Sequence, residues 1–144
     1  MAVDIETDVL VVGAGPAGLV AGIALARYGA RVLVVEKRRT TSNLSRALVI
    51  STRTMEVLRS WRLEEEIRAG AADVEPKLWL AESLAADEGK EVSLGFPSVV
   101  EAALISPSRP AWAPQDHLEP LLRRLLEAQP TAQMRFACEL VGLS

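Results

Sequence analysis

From Val9 to Ala26 the sequence runs 18 residues without a charged side chain, VLVVGAGPAGLVAGIALA, and this run limits how the chain can fold. A stretch of that length reaches the threshold for a membrane-spanning helix. Gly13, Gly15, Gly18, Gly22 and Pro16 interrupt it, and the residues before it are acidic (Asp4, Glu6, Asp8), the reverse of the basic flank of a secretory leader. A strand, a turn and a buried helix account for it better. Asp8–Val12 is a short aliphatic run ended by glycine, the pattern of a fully buried strand at the centre of a parallel sheet. From Pro16 to Tyr28 the composition shifts to Ala, Leu and Gly, with proline tolerated in the first helical turn and Gly29 placed as a terminator. Arg31–Glu36 (RVLVVE) reads as a second buried strand, so the chain opens with a right-handed βαβ unit and a parallel strand pair.

The turn inside that unit carries chemistry. Gly13, Gly15 and Gly18 form a G-x-G-x-x-G pattern, a weak signal alone because glycine-rich turns are common. Here it follows a strand, opens a helix, and is followed about 20 residues later by an acid, Glu36, at the end of the second strand. Gly13 permits the tight turn, Gly15 lacks the side chain that would keep a pyrophosphate from the backbone, and Gly18 and Gly22 let the helix approach the sheet. Free N–H groups and the positive end of the helix dipole face the phosphates. Glu36 suits ribose hydroxyls and repels a 2′-phosphate, which disfavours NADP in this site. FAD and NAD share the adenosine-diphosphate half that the motif reads, so the motif leaves the cofactor open between them.

Beyond Glu36 the pattern is less regular. Lys37–Ser45 is a polar loop, and Arg46–Ser51 (RALVIS) a short apolar stretch. Met55, Leu58, Trp61, Leu63 and Ile67 fall near helical spacing, giving one or two amphipathic helices over 53–67 with a break around Arg62. Lys77–Ala81 and Glu91–Phe96 flank an acidic, glycine-containing turn and form an antiparallel hairpin. Pro97–Pro114 carries four prolines and reads as a winding connection. A helix follows over Asp116–Ala128, with Asp116 and Glu119 as a capping box, Pro120 in its first turn, and Leu118, Leu121, Leu122 and Leu125 along one face. Met134–Leu143 reads as a strand that opens a further pattern.

Net charge is −3, with Lys and Arg scattered among acids, which argues against nucleic acid as a partner. The one cysteine, Cys138, cannot make an internal disulfide and reads as a buried strand thiol; with no leader sequence, the cytoplasm is the expected compartment. His117, the one histidine, reads as a helix-surface residue, and Trp61, Trp79 and Trp112 as core or interface groups. No catalytic side chain and no metal-ligand set is assigned.

Thr7–Glu36 with the basic Lys37, Arg38 and Arg39 after it, then RALVISTRTMEVLRSW from Arg46, then QDHLEPLLR from Gln115, together resemble the FAD-dependent aromatic hydroxylases. These are the class A flavoprotein monooxygenases, among them para-hydroxybenzoate hydroxylase and the polyketide hydroxylases. The resemblance implies an α/β fold, a Rossmann-like βαβ FAD-binding domain of the glutathione-reductase-like kind, incomplete and carrying a small β-hairpin insertion. It favours FAD over NAD, with NAD(P)H as reducing co-substrate and a small aromatic or polyketide-like molecule as substrate. It implies that Gly13, Gly15, Pro16, Ala17 and Gly18 hold the pyrophosphate, Glu36 with Lys37 or Arg38 the adenosine ribose, Arg46 the phosphates and ribityl chain, and Gln115 the ribityl region. Arg62 stands where the family commonly has glycine.

On the same grounds residues 1–144 are expected to form an amino-terminal FAD-binding segment, with the start of substrate-domain strands at 76–100 and the rest of both domains outside it. The alternatives are another FAD-dependent oxidoreductase on the same scaffold (a reductase or halogenase), an NAD-dependent dehydrogenase, or a non-catalytic dinucleotide-binding module.

Overall fold

A computed structural model describes residues 5–41, 49–72, 74 and 78–143. In chain order the elements are β1 (Val9–Val12), α1 (Pro16–Arg27), β2 (Val32–Glu36), β3 (Val49–Ile50), α2 (Thr52–Ser60), α3 (Glu64–Ala69), β4 (Leu78–Leu80), β5 (Lys90–Val92), α4 (Val99–Ile105), β6 (Ala111–Trp112), α5 (Gln115–Glu127) and β7 (Ala132–Phe136). They form two compact units, one of Met1–Arg46 with Gln115–Ser144, the other of Ala47–Pro114.

The first unit is a parallel sheet in the order β1-β2-β7, mixed α/β as the opening unit predicts. Val9 pairs with Val32 and Val12 with Val35, while Val32 pairs with Ala132 and Glu36 with Phe136. Central β2 buries Val32, Leu33, Val34 and Val35. Strand β1 departs from the expectation of full burial. It is an edge strand among the described residues, and Leu10 and Val12 are 38% and 57% exposed, because the sheet order puts β2 and not β1 in the middle. Helix α1 buries Leu19, Gly22, Ile23 and Ala26. Gly22 is where α1 comes closest: a Cβ there would lie 2.9 Å from Val34 Cγ2 and 3.1 Å from Leu126 Cδ1, so the missing side chain permits α1 to contact the sheet and α5 at once.

Helix α1 ends in a hydrogen-bonded pattern that recurs in the other unit. Gly29 N–H donates to Ala26 O at 2.9 Å and Ala30 N–H to Leu25 O at 3.1 Å, with Gly29 at φ +89°. At the end of α2, Arg62 N–H donates to Arg59 O at 2.8 Å and Leu63 N–H to Leu58 O at 3.0 Å, with Arg62 at φ +64°. Both are Schellman terminators, whose left-handed position normally takes glycine. The break expected near Arg62 is therefore a full helix stop built on a residue that adopts the conformation at a cost.

In the second unit α2 buries Met55 and Leu58, α3 buries Ile67, Leu63 is buried between them, and β3 pairs antiparallel with β6. Glu64 ties this unit together. Its carboxylate accepts from Arg59, Arg68 and the buried Ser108 hydroxyl, while Arg59 and Arg68 also donate to the carbonyls of Pro107 and Arg109. The hairpin forms over β4 and β5, with Leu78 opposite Val92. Lys77 of the expected hairpin, and residues 76 and 77 of the expected substrate-domain strands, lie outside the described residues.

Several expectations need correcting. The 97–114 segment is not merely a winding connection, since it contains α4 and β6. Ser98 and Glu101 make a reciprocal capping box that starts α4 directly after Pro97. The capping box expected at Asp116 and Glu119 does not form, because α5 begins at Gln115 and takes Asp116 into its first turn; Pro120 falls accordingly in the second turn and not the first. Strand β7 stops at Phe136, where Ala137 at φ +52° turns the chain, so the strand expected to reach Leu143 is cut short. Cys138 thus lies past the strand and is half-buried, not a buried strand thiol.

Candidate functional site

The junction of β1 and α1 forms one wall of the site. Gly13, at φ +102°, turns the chain out of β1, and its N–H donates to Val35 O at 2.8 Å, which fixes the turn against β2. Gly15 is the N-cap of α1 in extended conformation (φ −74°, ψ 177°), and no side chain caps the helix there. No heavy atom lies within 4 Å of the place a Gly15 Cβ would take, so this face of the turn is open. Pro16 occupies the first turn, Ala17 beside it is exposed, and no acid stands in that turn. An uncapped helix start with its dipole pointing outward favours an anion. Gly18 has the opposite surroundings: a Cβ there would fall on the carbonyl oxygen of Gly13, far inside contact distance.

Glu36 supplies the acidic side. At the end of β2 its Oε2 accepts from Ala14 N–H and its Oε1 from Arg38 N–H, each at 3.0 Å. These two donors, Ala14 first, hold the carboxyl below the usual carboxylate range; partial burial opposes them, and the Arg38 and Lys37 charges add a smaller pull in the same direction. Each oxygen keeps a second lone pair for a hydroxyl donor.

Between these groups lies a cleft of about 160 Å³ within the first unit. Of the residues singled out from sequence, Gly15, Glu36, Arg38 and Gln115 line it together. Gly13, Pro16, Ala17 and Gly18 build the junction behind it, and Lys37 is exposed outside the lining. Arg46 lies outside the described residues. Ala14, Thr40, Thr41 and Glu119 also line the cleft and were not singled out. For Glu119 the signal was present, because it is four residues from Gln115 and so shares its helical face.

The open backbone at Gly15, the uncapped helix start and the carboxylate at the strand end together fit the adenosine-diphosphate half of a dinucleotide. Residues 6–144 match the FAD binding domain family. The chain belongs to that family.

The 2,4-dichlorophenol 6-monooxygenase of Cupriavidus pinatubonensis is 40% identical over 147 residues, covering 99% of this chain and 24% of that protein. The tetracenomycin B2 monooxygenase-dioxygenase of Streptomyces olivaceus is 39% identical over 134 residues, covering 83% and 25%. Among solved structures, a ternary complex of aklavinone-11 hydroxylase with FAD and aklavinone superposes with a TM-score of 0.77 at 37% identity, covering 94% of this chain and 26% of that one. The flavin-dependent monooxygenase PieE in complex with FAD and substrate gives 0.74 at 32%, covering 94% and 24%. The chain spans about a quarter of the length of these relatives.

This FAD-binding domain shows no helix, among its described residues, long and apolar enough to cross a membrane. The Val9–Ala26 run is divided between β1, the glycine turn and α1. The tryptophans stand apart from the cleft lining. Trp79 is 59% exposed on β4, Trp61 is half-buried at the end of α2, and Trp112 meets Phe96 edge to face with centroids 6.3 Å apart.

Proposed function

We propose that these residues bind the adenosine-diphosphate part of FAD in a monooxygenase that hydroxylates an aromatic or polyketide-type substrate with NAD(P)H and dioxygen. The observation that carries the binding half is the junction at Gly15, open where its side chain would stand and lining one cleft with the Glu36 carboxylate. The names of the relatives, which act on phenols, tetracenomycins and aklavinone, support the reaction class.

In this reading Gly13 and Gly18 shape the turn, and Gly15, Pro16 and Ala17 present the helix start to the pyrophosphate. Glu36 accepts from the ribose hydroxyls, with Arg38 and Lys37 beside the adenosine. Gln115 reaches the ribityl region, and Arg46 keeps the place along the phosphates that the resemblance gives it. The flavin supplies the redox and oxygen chemistry when bound, and these side chains bind it and orient it. No side chain here is assigned a catalytic role. The cytoplasm is the compartment we favour, because the single cysteine cannot form an internal disulfide.

Titration with FAD, FMN and ADP, followed by flavin fluorescence and competition, tests the binding half. FAD is expected to bind, ADP to displace it, and FMN, which lacks the adenosine, to fail. Equal binding of FMN and FAD would overturn the reading. Hydroxylation of a phenol by the 144 residues alone, at rates typical of complete enzymes, would overturn the restriction of their role to cofactor binding.

A further inference from the structure

Glu119 is a carboxylate on α5 that is only 1% exposed, yet it lies at the lining of the cleft. A carboxylate is buried at such a place at considerable cost, so its partners matter. One of them is Gln115, one turn earlier on the same helix, whose Nε2 donates to Glu119 Oε1. The geometry points to Glu119 as a positioning residue that sets which end of the Gln115 amide meets the cofactor. The inference rests on the reading that this cleft binds FAD.

The reasoning is one of hydrogen-bond inventory. A primary amide has a donor end and an acceptor end, and rotation by 180° about its last bond exchanges them at little cost when both ends face solvent or hydroxyls. A carboxylate offers acceptors only. With Glu119 beside it, the Gln115 amide is stable in one orientation, NH₂ toward Glu119 and the carbonyl oxygen turned from it. That oxygen is then the group offered to a ligand in the cleft, and the ligand must donate. Sugar and ribityl hydroxyls donate; phosphate oxygens do not. Glu119 therefore acts through Gln115, tuning the cleft near α5 to a hydroxylated chain, while the opposite wall at Gly15 is tuned to phosphate.

A double-mutant cycle on FAD affinity tests this. Gln115→Ala and Glu119→Leu are each expected to weaken FAD binding by about tenfold, the scale of one lost hydrogen bond. The double variant is expected to be no weaker than Gln115→Ala alone, since Glu119 bears on the cofactor only through that amide. Glu119→Gln, which keeps an acceptor for the Gln115 amide, is expected to recover most of the affinity. ADP, with no ribityl chain, is expected to lose less than FAD in every variant. Additive losses in the cycle would overturn the inference while leaving the FAD reading intact. No loss on Gln115→Ala would remove Gln115 from the cofactor site, and the inference with it. The unsubstituted protein offers a check independent of folding: in its ¹⁵N–¹H spectrum one Gln115 side-chain amide proton should be shifted well downfield of its twin, and two ordinary amide protons would overturn the proposal.

Discussion

Two glycines three residues apart in the same motif are expected to respond to alanine in opposite ways. Gly15 is in extended conformation (φ −74°, ψ 177°), which any residue adopts, and nothing lies within 4 Å of its would-be Cβ. Gly15→Ala should therefore leave the ligand-free fold close to intact, because the reduced freedom of the unfolded chain, about 0.4–1 kcal/mol, is offset by alanine's poorer performance at an N-cap. Its methyl group, however, projects into the space where a pyrophosphate would approach the backbone. Losing one or two charge-assisted hydrogen bonds there costs about 2–4 kcal/mol, a drop of roughly 30- to 1,000-fold in FAD affinity.

Gly18→Ala reverses the pattern. Its Cβ falls on Gly13 O, a backbone atom that no rotamer change can move. Forced repacking of that kind costs about 1–3 kcal/mol, against a helix-propensity gain of about 1 kcal/mol for alanine over glycine. A clash that deep with backbone takes the upper part of the range, so the net effect is a protein destabilised by about 1–2 kcal/mol even without cofactor. Chemical unfolding of the ligand-free variants, with FAD titrations under the same conditions, separates the two effects. A Gly15→Ala protein that unfolds more easily but binds FAD normally, or a Gly18→Ala protein of unchanged stability, would refute the reasoning.

Two further outcomes follow from the same structure. Arg62→Gly should raise the unfolding free energy by about 0.5–1 kcal/mol: it removes a left-handed penalty of about 1–2 kcal/mol and gives back part of it as glycine's greater freedom when unfolded. An unchanged or lower melting temperature would argue against strain at that helix stop. Glu36 bears on pH. Its carboxyl is held below its ordinary value by Ala14 and Arg38 N–H, so its contribution to stability is complete above an unfolded pKa of about 4.3 and is lost as pH falls through the lower folded value. The stability difference between the parent and Glu36→Gln should accordingly be constant above about pH 5 and shrink below it. A difference that grew with acidity would contradict the assigned hydrogen bonds.

Much of the first unit was legible because its determinants are local. The turn at Gly13, the helix from Pro16, the stop at Gly29 and the acid at Glu36 fall within one stretch of about 30 residues, and each acts on its immediate neighbours. The second unit was harder to read. Four prolines between residues 97 and 114 spoke for a loop, yet Ser98 and Glu101 carry an S-x-x-E signal that starts α4 just beyond Pro97. The same kind of signal at Asp116 and Glu119 failed, because α5 begins earlier, at Gln115, and takes Asp116 into its first turn. A capping pattern states what a segment can do, and packing selects among the options.

The sequence by itself determined the βαβ unit, its glycine turn and the acid beside it, since backbone sterics, helix termination and strand patterning all operate over a few residues. Tertiary structure alone decided that, among the described residues, β7 pairs with β2 on the side away from β1, and that Gln115 and Glu119, about 100 residues from the glycine turn, line the same cleft as Gly15 and Glu36. Those outcomes depend on pairing β7 against β2 and packing α5 against α1, contacts between segments far apart in the chain, whose energy resides in surfaces that exist only once both have folded.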